Sequence, residues 1–113
     1  MNKNEWMKEF PGAITVCDEN GVLLDMNDKA EATLQKDGGR ALVGKNLLDC
    51  HPEPARTKTK EMLASRTGNV YTIEKNGVKK LIFQSPWFRN GKYAGFVELS
   101  LEIPFDLPHF VRS

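Results

Sequence analysis

Residues 70–101 read VYTIEKNGVKKLIFQSPWFRNGKYAGFVELSL, and this stretch decides the fold. β-Branched and aromatic residues dominate it, and Asn-Gly occurs twice, at Asn76-Gly77 and inside Arg89-Asn90-Gly91-Lys92. Asn and Gly accept the positive φ that a tight hairpin turn demands, so the two pairs divide the stretch into three strands: Val70 to Glu74, Val78 to Phe88 and Tyr93 to Leu101. A two-residue loop at Asn76-Gly77 sets Glu74 opposite Lys79. A three-residue loop with a bulge at Gly77 sets Glu74 opposite Val78 and reverses the facing of the short strand. Sequence leaves both registers open.

Working backwards, Gly68 marks the end of a helix expected from about Ala55 to Ser65, with Ala55, Thr59, Met62 and Leu63 on one side and Pro54 suited to its first position. Leu47-Leu48 reads as one buried helical turn ahead of Cys50-His51-Pro52-Glu53-Pro54, where two prolines forbid a continuous helix. Further upstream, Ile14-Thr15-Val16-Cys17 and Val22-Leu23-Leu24 flank Asp18-Glu19-Asn20-Gly21, a second hairpin signal. Asn27 follows as a helix N-cap with acids in the first turn behind it, and Asp37-Gly38-Gly39 breaks that helix. Trp6, Met7 and Phe10, between Asn4 and Phe10, give a short N-terminal helix with one apolar side, closed by Pro11-Gly12.

The order is thus two strands, several short helices, one longer helix and a three-stranded meander, an α+β arrangement. The chain of 113 residues, 40% hydrophobic and 27% charged, has the size of one domain. It can bury roughly two-thirds of its unfolded surface without staples. Net charge is +1 with both signs interleaved, so no concentrated cationic footprint for nucleic acid is present. Two cysteines, Cys17 and Cys50, form no framework and no leader precedes them, which points to a cytoplasmic location. The apolar runs, such as Leu81-Ile82-Phe83, fall far short of the ~20 residues of a spanning helix, so no membrane association is expected.

This order resembles the PAS family. The matching stretches are Ala13 to Gly21, Met26-Asn27-Asp28-Lys29-Ala30, Val43-Gly44-Lys45-Asn46-Leu47-Leu48-Asp49, and Asn90 to Val97. The resemblance implies a five-stranded antiparallel sheet in the spatial order 2-1-5-4-3, with short helices packed on one face and a ligand pocket between the layers. It divides the chain into an N-terminal helical extension (1–12), a PAS domain (13–102) and a C-terminal tail (103–113). It also explains Pro86, placed beyond the reach of the short Val70 to Glu74 strand, where a missing N–H is tolerated. Leu101-Glu102-Ile103-Pro104 stands where many members carry Asp-Ile-Thr before an output linker, so the tail with Phe105, Leu107 and Phe110 is expected to act as a binding edge or the domain to signal in trans.

By the same resemblance, Ile82, Gln84, Pro86 and Phe88 face the helices together with Val97 and Leu99. The pocket candidates are Met26, Asn27, Cys50, His51, Met62, Ile82, Gln84, Val97 and Leu99. Gln84 needs a partner for its amide, supplied by a ligand or by Asn27, His51 or backbone. The opposite face is apolar as well, so Trp6, Phe10, Phe83 and Trp87 are candidates for a homodimer interface.

Cys50-His51 invites a reading as nucleophile and base. Adjacent side chains point apart, however, and no third group is signalled, so no catalysis is expected; Cys50 is read as a small packed hydrophobe and His51 as a loop residue. Haem sensors similar to this chain use a histidine on the long helix. That helix has none here, and ligation through His51 would need a displaced geometry. Covalent flavin photochemistry is disfavoured because Leu47, not cysteine, follows Gly44-Lys45-Asn46. His109 is read as a surface residue, and no metal site is expected. The leading expectation is a sensory module that binds a small molecule and a protein partner. The competing one is a pure interaction domain whose pocket is filled by its own Met26, Phe88 and Leu99.

Overall fold

The computed structural model describes residues 5–113. Five antiparallel strands, β1 (Ala13–Asp18), β2 (Leu23–Met26), β3 (Asn69–Lys75), β4 (Val78–Arg89) and β5 (Lys92–Ile103), form one sheet in the order β2-β1-β5-β4-β3. Among the described residues four α-helices accompany it: α1 (Glu5–Lys8), α2 (Asp28–Thr33), α3 (Leu47–Cys50) and α4 (Ala55–Ser65), with two 3₁₀ turns at Gln35–Asp37 and Gly39–Leu42. The expected fold class and strand order are what the structure has.

Turn chemistry sets the registers. Asn76 and Gly77 both take positive φ, 53° and 78°, and Glu74 stands opposite Lys79, so the two-residue loop is the one adopted. The Asn90-Gly91 turn is built the same way. In the first hairpin Asp18 Oδ1 accepts from the N–H groups of both Asn20 and Val22, and Gly21 takes φ 87°. Pro86 pairs only with Phe96, beyond the last β3 partner at Gln84, where its absent N–H leaves no bond unmade.

Asn27 fastens the N-terminal segment to the sheet. It is 1% exposed and caps α2, its Oδ1 accepting from Ala30 N–H and from Ile14 N–H at 3.1 and 3.0 Å. Its Nδ2 donates to the carbonyls of Met7 and Gly12 at 2.9 and 2.8 Å. Met7 is buried, whereas Trp6 is 69% exposed, so the expected single apolar side of α1 reduces to one residue; Asn4 lies outside the described residues.

Helix α4 begins after Pro54, which sits at the N-cap, one residue before the expected first position. It ends at Arg66 in the left-handed conformation (φ 57°), not at Gly68, the expected stop. Gly68 serves a different purpose: a Cβ there would stand 2.6 Å from the Gln84 carbonyl oxygen, so its bareness lets the chain enter β3 tight against β4. Tyr93 then holds the end of α4 to the sheet. The Arg66 guanidinium lies 4.6 Å from its ring centroid and its hydroxyl reaches the Leu63 carbonyl at 3.5 Å.

Candidate functional site

A cavity of about 330 Å³ lies between the sheet and the helical layer. Its floor is the inner face of β1, β5 and β4, through Thr15, Cys17, Phe96, Glu98 and Gln84. Its walls are Leu34 and Leu42 on one side, Lys45, Leu47, Cys50, His51 and Pro52 on another, and Thr59, Met62 and Leu63 of α4. The volume falls in the range of sites that enclose small molecules.

The wall from Val43 to Leu47 is tied to the sheet edge by backbone. Leu23 N–H donates to Lys45 O, Gly44 N–H to Leu23 O and Leu47 N–H to Gly21 O, while the Asn46 side chain caps α3 and donates to Asn20 O. None of the residues of α4 is fully buried. The long helix spans the cavity and does not fill it.

The polar centre of the floor is a cross-strand pair. Gln84 stands opposite Glu98, and Gln84 Nε2 donates to Glu98 Oε1 at 2.7 Å. This supplies the partner that Gln84 requires, and it is neither Asn27 nor His51. Thr15 lies across from Glu98 on the other side, completing a polar row over three strands. Burial pushes the neighbouring Cys17 thiol above its ordinary value; a backbone hydrogen bond at Phe96 offsets part of this, and the charges of Asp18 and Glu98 add to it. Burial, then Glu98, likewise raises the Tyr71 hydroxyl.

Of the expected pocket residues, Cys50, His51, Met62, Gln84 and Val97 border the cavity. Met26 and Asn27 do not: Met26 packs with Ala13, Leu23, Ala30 and Leu42, and the polar atoms of Asn27 are consumed by backbone. Ile82 faces inward but is buried away from the cavity, and Leu99 stands opposite Phe83 on the outer face.

The error at Leu99 has one physical cause. Beside the turn Arg89 pairs with Lys92 and Phe88 with Tyr93, but Trp87 pairs with Gly95, so Ala94 is an extra residue in β5. Uninterrupted pairing would have set Gln84 against Val97 and Ile82 against Leu99. The bulge moves β5 on by one, turning Phe96 and Glu98 inward and Leu99 outward. Val97 meets the cavity from between these two. Phe96 and Glu98 were therefore missed, and Gly95, with φ 143° and no room for a Cβ against Cys17 O and Asp18, was the one available signal; Thr15, on β1, was missed independently of the bulge.

Cys50 is exposed, not packed, and the His51 ring makes no hydrogen bond among the described residues. Of the interface candidates, Trp6, Phe10 and Phe83 are exposed, and Trp87 donates its Nε1 to Cys17 O at 3.0 Å. Phe10 does not stand free beside the sheet, for its ring and Leu101 close around Gly12. Phe10 thus covers one end of the outer face beside Leu101. Among the described residues no group of acids, histidines and cysteines is arranged to hold a metal ion.

No protein-family model matches the sequence, and no curated protein matches it. Solved structures do match the fold. The C-terminal domain of a Streptococcus mutans protein superposes with a TM-score of 0.72 at 20% identity, over 88% of this chain and 81% of that one. The PAS domain of Bordetella pertussis BvgS gives 0.61 at 19% identity, over 88% and 82%. The chain has the PAS fold. A second PAS structure, the Vibrio cholerae Aer2 receptor described as a dual PAS-haem oxygen sensor, gives 0.59 at 17% identity over 82% and 95%. At these identities the PAS likeness concerns architecture: sheet order, helical layer and the hollow between them. No helix among the described residues is long and apolar enough to cross a membrane.

Proposed function

We propose that this PAS domain is a sensory module of the cytoplasm that binds a small molecule between sheet and helices and signals through contact with another protein, without catalysing a reaction. The observation that carries this reading is the cavity itself. Met26, Phe88 and Leu99, the side chains expected to plug it in a pure interaction domain, are elsewhere: Met26 in the core cluster, Phe88 60% exposed, Leu99 on the outer face. What remains is a hollow with apolar walls and a fixed hydrogen-bonding pair on its floor, the pattern of a site that orients a ligand. Ligand binding to the folded state alone raises its stability. Thermal denaturation against a panel of small metabolites should therefore yield at least one concentration-dependent rise in Tm, and Met62→Trp, which fills the cavity from α4, should abolish it. A panel without effect would remove the reading.

For haem, His51 is the histidine on the cavity wall. A porphyrin face laid on this floor would strand the Glu98 carboxylate and the Gln84 amide in contact with hydrocarbon, a cost of several kcal/mol in either group. Floor and donor do not fit the same macrocycle, and purified protein is expected to show no Soret band.

The outer face favours a second element of the reading, a homodimer. Phe83 and Val70 stand side by side on it and are exposed, and Leu99 continues the row. Pairing of two such faces gives pocket occupancy a route to a partner.

A further inference from the structure

We propose that the cavity is selective for a compact organic cation, whose protonated amine or amidine is bound by the Glu98 carboxylate; this rests on the reading of the cavity as a ligand site. Glu98 is held from a β-strand by its bond to Gln84, and a neutral amide donor leaves its negative charge intact. Oε2 has no hydrogen-bond partner and the carboxylate no ion pair among the described residues, whose salt bridges all lie on the surface at Lys8, Asp28, Glu31 and Arg40. Among the described residues no polar side-chain atom is buried without a partner either, so the remaining lone pairs open into the hollow. A carboxylate with a free oxygen facing a partly enclosed hollow is complemented by a cation whose N–H donors make charge-assisted bonds to it.

The other charges at the cavity do not reverse its sign. Lys45 borders it from a loop and Asp37 from the facing 3₁₀ turn, one of each charge. The carboxylate on the floor is thus the charge in excess. Its field reaches Cys17 and Tyr71, both on the same sheet face. An amidinium offers two parallel N–H groups to two carboxylate oxygens, so a flat aromatic amidine is the sharpest probe of this geometry.

Isothermal titration of the full chain with benzamidine, benzamide and benzoate compares a cation, a neutral amide and an anion of one shape. Benzamidine is expected to bind at least tenfold more tightly than either of the others. Glu98→Gln is expected to weaken benzamidine at least tenfold while leaving benzamide within about twofold, and Met62→Trp to abolish binding of all three. Benzoate or benzamide binding as well as benzamidine, or benzamidine indifferent to Glu98→Gln, would overturn cation selectivity while leaving the ligand reading intact. The comparison of the three probes uses the unaltered protein, so it decides the question even if a variant fails to fold. Failure of benzamidine to bind at all also overturns the proposal; the broader ligand reading falls with it only if the metabolite panel is silent as well.

Discussion

Asn27 is the residue on which most of the local structure converges. Its oxygen accepts two backbone N–H groups and its nitrogen serves two close backbone carbonyls, from three parts of the chain. Asn27→Leu would leave these groups buried and unmade, at about 1–3 kcal/mol each in an interior site. Urea denaturation should show a loss of at least ~3 kcal/mol. Asn27→Asp, which keeps the acceptor and loses both donors, should fall between the two; a near-neutral Asn27→Leu would contradict the assignment. The capping role of Asn27 was legible because strand-to-helix changes need a side-chain acceptor at that position. Its bonds to Met7 and Gly12 were not, since nothing local records which distant carbonyls fold over a cap.

Among the strands, the bulge at Ala94 decides what the cavity contains. The Asn-Gly turns, the strand limits and the unpaired position of Pro86 were all readable, because each follows from a residue's own backbone preferences. The inward face of β5 was not. One inserted residue inverts every side chain beyond it, and the insertion is specified by contact between Gly95 and β1, not by the turn. Gly95→Ala should therefore be far more damaging than Gly91→Ala. Gly91 takes φ 80° with open space where a methyl group would project, so its substitution costs about 1–2 kcal/mol of backbone strain. At Gly95 the same strain is joined by collision with the Cys17 carbonyl and Asp18. Equal destabilisation of the two variants in urea would show that β5 can close without the bulge. The end of α4 teaches the same lesson: Gly68 was a sound stop signal locally, but closeness to the Gln84 carbonyl claimed it, and Arg66 took the left-handed position.

Over the whole molecule, three raised groups make pH act from the alkaline side, while Glu53, held below its ordinary value by hydrogen bonds from Thr57, acts only in acid. Cys17, Tyr71 and Tyr93 all have folded-state values raised, first by burial, above ordinary values of 9.0 for the thiol and 10.0 for the phenols. A raised acid is protonated in the fold and ionises more readily in the unfolded chain. Its contribution is complete below the unfolded value and is lost as pH rises through the folded one. Stability should hold to about pH 9 and then decline, and Cys17→Ala should flatten the first part of that decline. A Cys17→Ala profile parallel to the unaltered one would remove the thiol from the effect.

The outer face gives a separate prediction. Light scattering should report a dimer mass for the chain and a monomer for Phe83→Lys; a monomer for both would assign the exposed Phe83 row to another partner. Cavity and outer face are thus two surfaces of one sheet, linked through β4 and β5.

Native mass spectrometry of the intact chain, as purified and after incubation with a small-molecule extract of cells, addresses the cavity directly. A discrete added mass that disappears on denaturation and is absent from Met62→Trp is the predicted result. A bare polypeptide mass under both conditions would mean that the hollow over Glu98 and Gln84 holds nothing, and that the domain is not a ligand sensor.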